Sequence, residues 1–327
     1  MRILVTGGAG FIGSHFVRRL LAGGDDRVTI LDALTYAGGL DTIADLVADD
    51  RVDFVEGDVA DAAAVRGALP GHDVVVNFAA ESHVDRSLGA PASFATTNCT
   101  GTAVLCEAAV RLGVERFVQV STDEVYGSVD VGSSDESAPL APSSAYSASK
   151  AGADLLALAA HATSGLPVVV VRSSNNYGPN QHPEKLIPMA VIRLLAGETV
   201  PLYGDGENVR EWIHVADNCA AIETVARAGE PGAVYNVGGG VGVSNIDVVG
   251  RLAKLCGRDL DAYELVADRP GHDRRYSLDS ARVHALGWRP EVDLDDGLER
   301  TVAWYRENRT WWQSRRRTST GTPTAAP

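Results

Sequence analysis

Short apolar runs alternate with amphipathic stretches through the first half of the chain. Residues 2–6 read as a buried strand around Ile3, Leu4 and Val5, and residues 14–22 as the amphipathic helix behind it. The rhythm repeats with strands at 27–31, 52–55, 73–78, 116–121 and 167–173 and helices at 61–69, 94–112 and 146–161. Several of these strands are apolar at successive positions, as in a parallel sheet covered by helices on both faces. The pattern predicts an α/β fold built on a doubly wound parallel Rossmann sheet.

After Gly178-Pro179 the rhythm breaks. Residues 201–206 are a hairpin candidate, 210–217 a strand leading into a helix, 234–238 a short strand and 294–308 a closing helix. The expected organisation is a sheet domain over 1–174, with return segments near 211–238. A smaller, discontinuous C-terminal substrate lobe covers 175–210 and 239–312. Residues 313–327, basic and then rich in Ser, Thr, Gly, Pro and Ala, read as a disordered tail.

The 327 residues, 45% hydrophobic with 34 glycines, suit one large α/β unit or two modest ones sharing a core. A formal net charge of −14 argues against nucleic acid or an anionic membrane as partner. No apolar run approaches a membrane span, and Met1 leads straight into a strand, so a cytoplasmic protein without a leader is expected. Cys99, Cys106, Cys219 and Cys256 form no C-x-x-C pair and are expected to be reduced, with no metal.

Chemistry enters at the strand ends. Gly7-Gly-Ala-Gly10-Phe11-Ile12-Gly13 stands between a strand and a helix, where glycines let the backbone approach a pyrophosphate and the helix N-terminus favours its charge. Asp32 ends the second strand, suited to accept from ribose hydroxyls and to repel a 2′-phosphate. No basic residue follows before Arg51, which favours NAD over NADP. Asp58 could bond the adenine or cap the next helix, and small Ala79 and Ala80 would let a dinucleotide pass. Ser82 lies where it could touch a substrate, whereas His83, Asp85 and Arg86 read as a structural polar network.

Thr122, Asp123 and Glu124 close the fifth strand, and Tyr146 and Lys150 stand i, i+4 on a helix face. A lysine ammonium beside a phenol favours the phenolate, so Tyr146 is expected below its ordinary value near ~10 and able to deprotonate a substrate hydroxyl. Two acids beside it supply a second proton-transfer pair. Lysine occurs only at 150, 185 and 254.

Thr6-Gly-Gly-Ala-Gly-Phe-Ile-Gly13 and Tyr146-x-x-x-Lys150 resemble the extended short-chain dehydrogenase/reductase superfamily. Within it, residues 79–87, Thr122-Asp-Glu124, Asn175-Asn-Tyr-Gly-Pro179, 182–188 and Arg269-Pro-Gly-His-Asp273 are similar to those of the dTDP-glucose 4,6-dehydratase family. The resemblance implies that NAD is recycled while dTDP-glucose becomes the 4-keto-6-deoxy sugar in deoxysugar biosynthesis. Tyr146 with Lys150 would serve oxidation at C4. Glu124 would take the C5 proton, Asp123 would protonate the leaving C6 hydroxyl, and Thr122 would orient the sugar. It adds Ala33, Leu34, Thr35, Val59, Phe78, Thr97, Asn176 and Ser82 to the cofactor set. Asn175, Lys185, Leu186, Arg210, Asn245, Asp268, Arg269 and His272 would hold the nucleoside diphosphate, with Pro201, Leu202 and Tyr203 at the base. A homodimer paired through helices 94–112 and 146–161 is also implied. A sugar-nucleotide 4-epimerase shares the fold, but usually has small hydroxyl residues where Asp123 and Glu124 stand. A non-catalytic NAD-binding regulator would have no need of the four intact site residues.

Overall fold

A computed structural model describes residues 1–319. In chain order it begins β1 (Arg2–Thr6), α1 (Phe11–Gly23), β2 (Arg27–Asp32), β3 (Val52–Glu56), α2 (Ala62–Ala68), β4 (Val74–Asn77), α3 (Val84–Gly89) and α4 (Pro91–Phe94). A π-helical segment, Ala95–Thr100, joins α4 to α5 (Gly101–Leu112). β5 (Arg116–Thr122), a 3₁₀ turn (Asp123–Tyr126), α6 (Ala145–Ser164) and β6 (Val168–Ser173) complete the first half. Then come β7 (Asn175–Tyr177), α7 (Leu186–Leu195), β8 (Val200–Tyr203), β9 (Val209–His214), α8 (Val215–Ala228), β10 (Val234–Val237) and β11 (Gly242–Ser244). The chain continues as α9 (Asn245–Leu255), β12 (Tyr263–Val266), α10 (Ala281–Ala285), α11 (Leu294–Glu307) and α12 (Arg309–Ser319).

Seven strands form one sheet in the order β10-β6-β5-β4-β1-β2-β3, every pair parallel. The apolar runs explain this: β4, β6 and β10 are buried at every position. Phe16, Val17, Ile222 and Val225 from α1 and α8 lie in one apolar cluster, while Val65, Leu105 and Ala157 from α2, α5 and α6 lie in another. The strand order reverses between β1 and β4, which opens a crevice at their carboxyl ends. Two small sheets, β11-β9-β7 and β12-β8, sit with a third apolar cluster that includes Ile187, Leu202, Val249 and Leu298.

Three local expectations are corrected. Residues 201–206 are no hairpin: β8 pairs in parallel with β12, and β9 pairs with β7 and β11, so the turn changes sheets. The helix expected over 94–112 starts at Pro91 and contains the π segment, where Asn98 bonds the Glu81 backbone in both directions (Glu81 N to Oδ1, Nδ2 to Glu81 O). Residues 313–319 are helical, with Trp312 and Arg315 buried; the rest of the expected tail, 320–327, lies outside the described residues.

Candidate active site

The crevice is a cavity of about 350 Å³ running from the glycine loop to the 3₁₀ turn after β5. At one end the loop is built by steric necessity. Gly7 has φ +67°, and a Cβ there would meet Ala79 N at 2.7 Å. A Cβ on Gly13 would stand 2.3 Å from Gly7 O, so the helix can start this close only with glycine. A Cβ on Gly10 would meet only Gly7 O, at 3.2 Å, and Gly10 caps α1 with no side-chain bond, leaving the helix N-terminus open to an anion. Asp32 is buried at the end of β2, where its Oδ2 accepts from Ala9 N at 2.9 Å and its Oδ1 from Leu34 N at 2.8 Å. Burial raises its pKa against those two bonds.

From this half, Gly7, Gly10, Phe11, Ile12, Gly13, Asp32, Ala33, Thr35, Asp58, Val59, Phe78, Ala79, Ala80, Ser82, Thr97 and Asn176 line the cavity. Leu34 does not: it adopts φ +48° and packs against the core, presenting its amide to Asp32. Asp61, not Asp58, caps α2, and the Asp58 side chain accepts from Ala60 N nearby.

At the other end β5 delivers Thr122, and the 3₁₀ turn brings Asp123 and Glu124 round to the cavity. Ser144 and Ser147 form a reciprocal cap that starts α6 at Ala145, placing Tyr146 in the first turn and Lys150 one turn on. Thr122 Oγ1 donates to Asp123 Oδ1 at 3.1 Å. Asp123 is 3% exposed, and burial, then the Glu124 carboxylate, pushes its pKa well above the usual range. Burial also raises Glu124, opposed by Arg210, Arg269 and Lys185.

The expected depression of the Tyr146 pKa is overturned for the protein alone. Burial and then Glu124 push it upward. Lys150 Nζ donates to Val120 O at 2.6 Å, and burial lowers the ammonium's pKa to about 8.

The expected substrate residues divide. Asn175, Lys185 and Leu186 line the cavity with Ser82 and Thr122; Arg210 and Arg269 act on Glu124 from beyond the lining. Lys185 Nζ donates to Ser82 O at 2.6 Å. Arg210 is buried over the Tyr276 ring at 4.2 Å and donates to Asp273 O at 2.8 Å. Farther out, Tyr203 donates to Asp85 Oδ2 at 3.1 Å and meets His272 edge-on at 5.9 Å. His272 in turn bonds Asp268 at 2.6 Å. Arg269 bonds Asp85 at 3.2 Å. Leu202 is corrected: strand alternation buries it in the apolar core, between outward-facing Pro201 and Tyr203. Asn245 begins α9 with its Oδ1 buried and unpartnered.

Sequence reasoning missed Glu81, Ser174, Gln181, His182 and Trp212, which also line the cavity. Ser174 Oγ, Gln181 Oε1, His182 Nε2 and Trp212 Nε1 are buried without partners among the described residues, as are Asn175 Oδ1 and Asn176 Oδ1. Polar atoms left so are a sign of a ligand site. Only the pairing of β7 with β9 brings Trp212 opposite Asn175. Tyr36 was missed too; its ring carries Arg86 at 3.8 Å and meets His182 edge-on at 5.5 Å.

The family model described as GDP-mannose 4,6 dehydratase matches residues 4–301. A curated dTDP-glucose 4,6-dehydratase from Actinoplanes sp. is 53% identical over 95% of this chain and 100% of its own length. One solved structure, of the dTDP-glucose 4,6-dehydratase from Streptomyces venezuelae with NAD and a second ligand bound, is 55% identical. It superposes with a TM-score of 0.95 over 96% of this chain and 100% of that one. The UDP-glucose 4-epimerase of Thermus thermophilus, solved with NAD, is more distant, at 34% identity and a TM-score of 0.86 over 94% of this chain and 100% of that one. Identity above one half along the whole length of such relatives, with the family model across residues 4–301, settles the assignment: the chain belongs to the dTDP-glucose 4,6-dehydratase family.

Proposed function

We propose that this protein is an NAD-dependent hydro-lyase that converts dTDP-glucose to dTDP-4-keto-6-deoxy-glucose for deoxysugar biosynthesis. The observation that carries the reading is Asp123, a carboxyl buried with Oδ2 unpartnered and its pKa raised, beside the more open Glu124. One acid is thereby kept protonated and the other is left to act as a base, which is the pairing that loss of water needs.

The glycine loop, the open N-terminus of α1 and Asp32 fit a dinucleotide, with Thr35, Asp58, Val59, Phe78, Ala79, Ala80, Thr97 and Asn176 along its path. Bound NAD supplies a hydride acceptor for C4 and a donor for C6, and its positive charge favours the Tyr146 phenolate. Tyr146, with Lys150, takes the proton of the sugar 4-hydroxyl, and Thr122 orients the 4-oxygen. The 4-ketone acidifies the C5 proton, which Glu124 removes. Asp123 gives its proton to the C6 hydroxyl, which leaves as water. Lys185 and Arg210 neutralise the nucleoside diphosphate locally in a chain whose net charge is −14. The unpartnered Asn175 and Asn245 oxygens are available to the same ligand.

The domain division at 174, with residues 175–210 and 239–312 forming the substrate lobe, is part of this reading. It is supported by the separate apolar cluster and the small sheets that follow β6. No helix of the described residues is long and apolar enough to cross a membrane, which accords with a cytoplasmic enzyme. Val110, Leu112, Leu155 and Leu156 are exposed on α5 and α6, apolar surface suited to pairing with a second copy as a homodimer. A monomeric mass by light scattering at micromolar protein would remove the dimer.

Purified protein incubated with dTDP-glucose and NAD should yield the 4-keto-6-deoxy sugar, while GDP-mannose should give little or none. Release of dTDP-galactose without dehydration would overturn the reading in favour of an epimerase.

A further inference from the structure

We propose that Asp154 is a positioning residue of the site: its carboxylate, one turn beyond Lys150 on α6, holds the lysine charged, and Arg172 holds the carboxylate in turn. This deepens the function proposed above and rests on it only for the catalytic consequence.

Two successive residues of β5 receive two residues of one helix face. Lys150 Nζ donates to Val120 O at 2.6 Å, and Ser121 Oγ donates to Asp154 Oδ2 at 2.9 Å. On the next strand, Arg172 Nε donates to that same Oδ2 at 2.9 Å. Arg172 Nη1 donates to Tyr126 Oη at 2.8 Å, which donates to Asn236 Oδ1 on β10 at 2.8 Å. Asp154 Oδ1 is left buried with no hydrogen-bond partner among the described residues. Lys150, Asp154 and Arg172 are 4%, 0% and 3% exposed.

A buried ammonium with a single carbonyl acceptor loses its proton unless an opposite charge stands near. A plain structural staple between α6 and β6 would need only Arg172 and Asp154. Here Lys150 stands on the same helix face as a carboxylate already paired with Arg172, so the cluster holds more positive than negative charge. The groups around it are few. Asp154 on its own helix and Cys99 on the π segment both favour a charged Lys150. β5 presents only the Val120 carbonyl and Ser121 hydroxyl. From the 3₁₀ turn, Asp123 and Glu124 face Tyr146, and Tyr126 faces Arg172. Asp85 and Arg86 of α3 are engaged by Arg269 and Glu184, and Glu107 of α5 by Arg111. Asp154 therefore supplies the carboxylate that offsets burial of Lys150, which sits at about 8 with it. A neutral Lys150 would give no support to the Tyr146 phenolate.

The chain has lysine only at 150, 185 and 254, so protein labelled with ¹³C-lysine gives signals that Lys150→Arg and Lys254→Arg assign. The Cε shift of Lys150, followed through the alkaline range, should show a midpoint near 8 in the unmodified protein. In Asp154→Asn the midpoint should fall by about one pH unit or more, and the alkaline limit of product formation should move down with it. Asp154→Asn/Arg172→Gln replaces the ion pair by neutral amides that can bond each other; it removes a cation with the anion, and should show a smaller fall in the same direction if the single variant does not fold. An unmoved midpoint in either folded variant overturns the proposal. So does a midpoint far below neutrality in the unmodified protein, since the ammonium is then not held. The titration needs neither NAD nor sugar, so its failure is distinct from a failure to form the keto sugar.

Discussion

Thr122 Oγ1 donates to Asp123 Oδ1 at 3.1 Å and leaves Asp123 Oδ2 buried without a partner among the described residues. A carboxylate so placed is half satisfied, and the neutral acid is the favoured form. That suits proton donation to a leaving hydroxyl. It also costs stability, because an unfolded Asp ionises freely at neutral pH.

The cost has a defined pH dependence. The folded pKa of Asp123 is raised, so between the unfolded value near ~3.9 and the folded value only the folded chain holds the proton. Stability from this group is fully present below the unfolded value and is lost as pH rises through the folded one. Asp123→Asn removes the titration. Its melting temperature relative to the unmodified protein should be higher at pH 8 than at pH 4 by calorimetry, the difference reflecting on the order of 1–3 kcal/mol for a buried, unsatisfied polar group. An offset independent of pH would mean that Asp123 is not held protonated.

Much of this was legible because each signal was local. β1, the glycine turn, α1 and Asp32 follow one another within a single βαβ unit, so spacing alone placed them. Ser121 to Glu124 stand at a strand end, and Tyr146 and Lys150 on one helix face, for the same reason. What stayed hidden depends on distant pairing. Trp212 reaches the cavity because β9 lies beside β7, and Leu202 leaves it because β8 pairs with β12. The direction of the Tyr146 shift was misread because i, i+4 spacing shows Lys150 on the same helix face but not the burial of the phenol, nor Glu124 beside it, which together push the shift upward. The π segment gives no compositional warning, since it forms around the Asn98–Glu81 bonds.

Asp32 is expected to carry two duties that substitution can separate. Its oxygens already accept from Ala9 and Leu34 amides, so Asp32→Ala should lower thermal stability as well as NAD affinity. Asp32→Asn retains one acceptor oxygen and loses the charge that would repel a 2′-phosphate. It should therefore be the more stable of the two while its preference for NAD over NADP narrows. Calorimetry with and without each cofactor would measure both effects. An unchanged preference in Asp32→Asn would show that the charge does not set it.

The last described helix ties down the loop at the cofactor end. Arg315 donates to both oxygens of Asp41, at 2.8 and 2.6 Å, and to Thr42 Oγ1 at 2.9 Å; Trp311 Nε1 reaches the same hydroxyl at 3.2 Å. The loop includes Thr35, Ala37 and Gly38 of the cavity wall. Arg315→Ala should speed NAD release, measured by dilution of the loaded protein. Arg315 holds the Asp41 carboxyl below its usual range, so the stability this pair adds is present above an unfolded value near ~3.9 and is lost as pH falls through the folded one. The melting difference between variant and unmodified protein should close in acid. A difference that widens there would assign the effect to packing.

Oxidation and elimination should be separable by substitution. Tyr146, which lines the cavity with Thr122, stands at the step that removes the 4-hydroxyl proton, so Tyr146→Phe should suppress NADH formation with dTDP-glucose. Glu124→Gln keeps the side-chain size and removes the base, and Asp123→Asn removes the acid. Both should still form NADH, while product formation falls by a factor on the order of 10²–10⁴, the usual contribution of a general acid or base. The accumulated absorbance at the NADH band then marks a block after C4 oxidation. In D₂O the unmodified enzyme should place deuterium at C5, because the C5 proton passes through Glu124 and exchanges, while hydrogen from C4 appears at C6. Normal NADH formation in Tyr146→Phe together with its loss in Glu124→Gln would reverse the two roles. A product without deuterium at C5 would exclude elimination through Glu124 and Asp123 altogether.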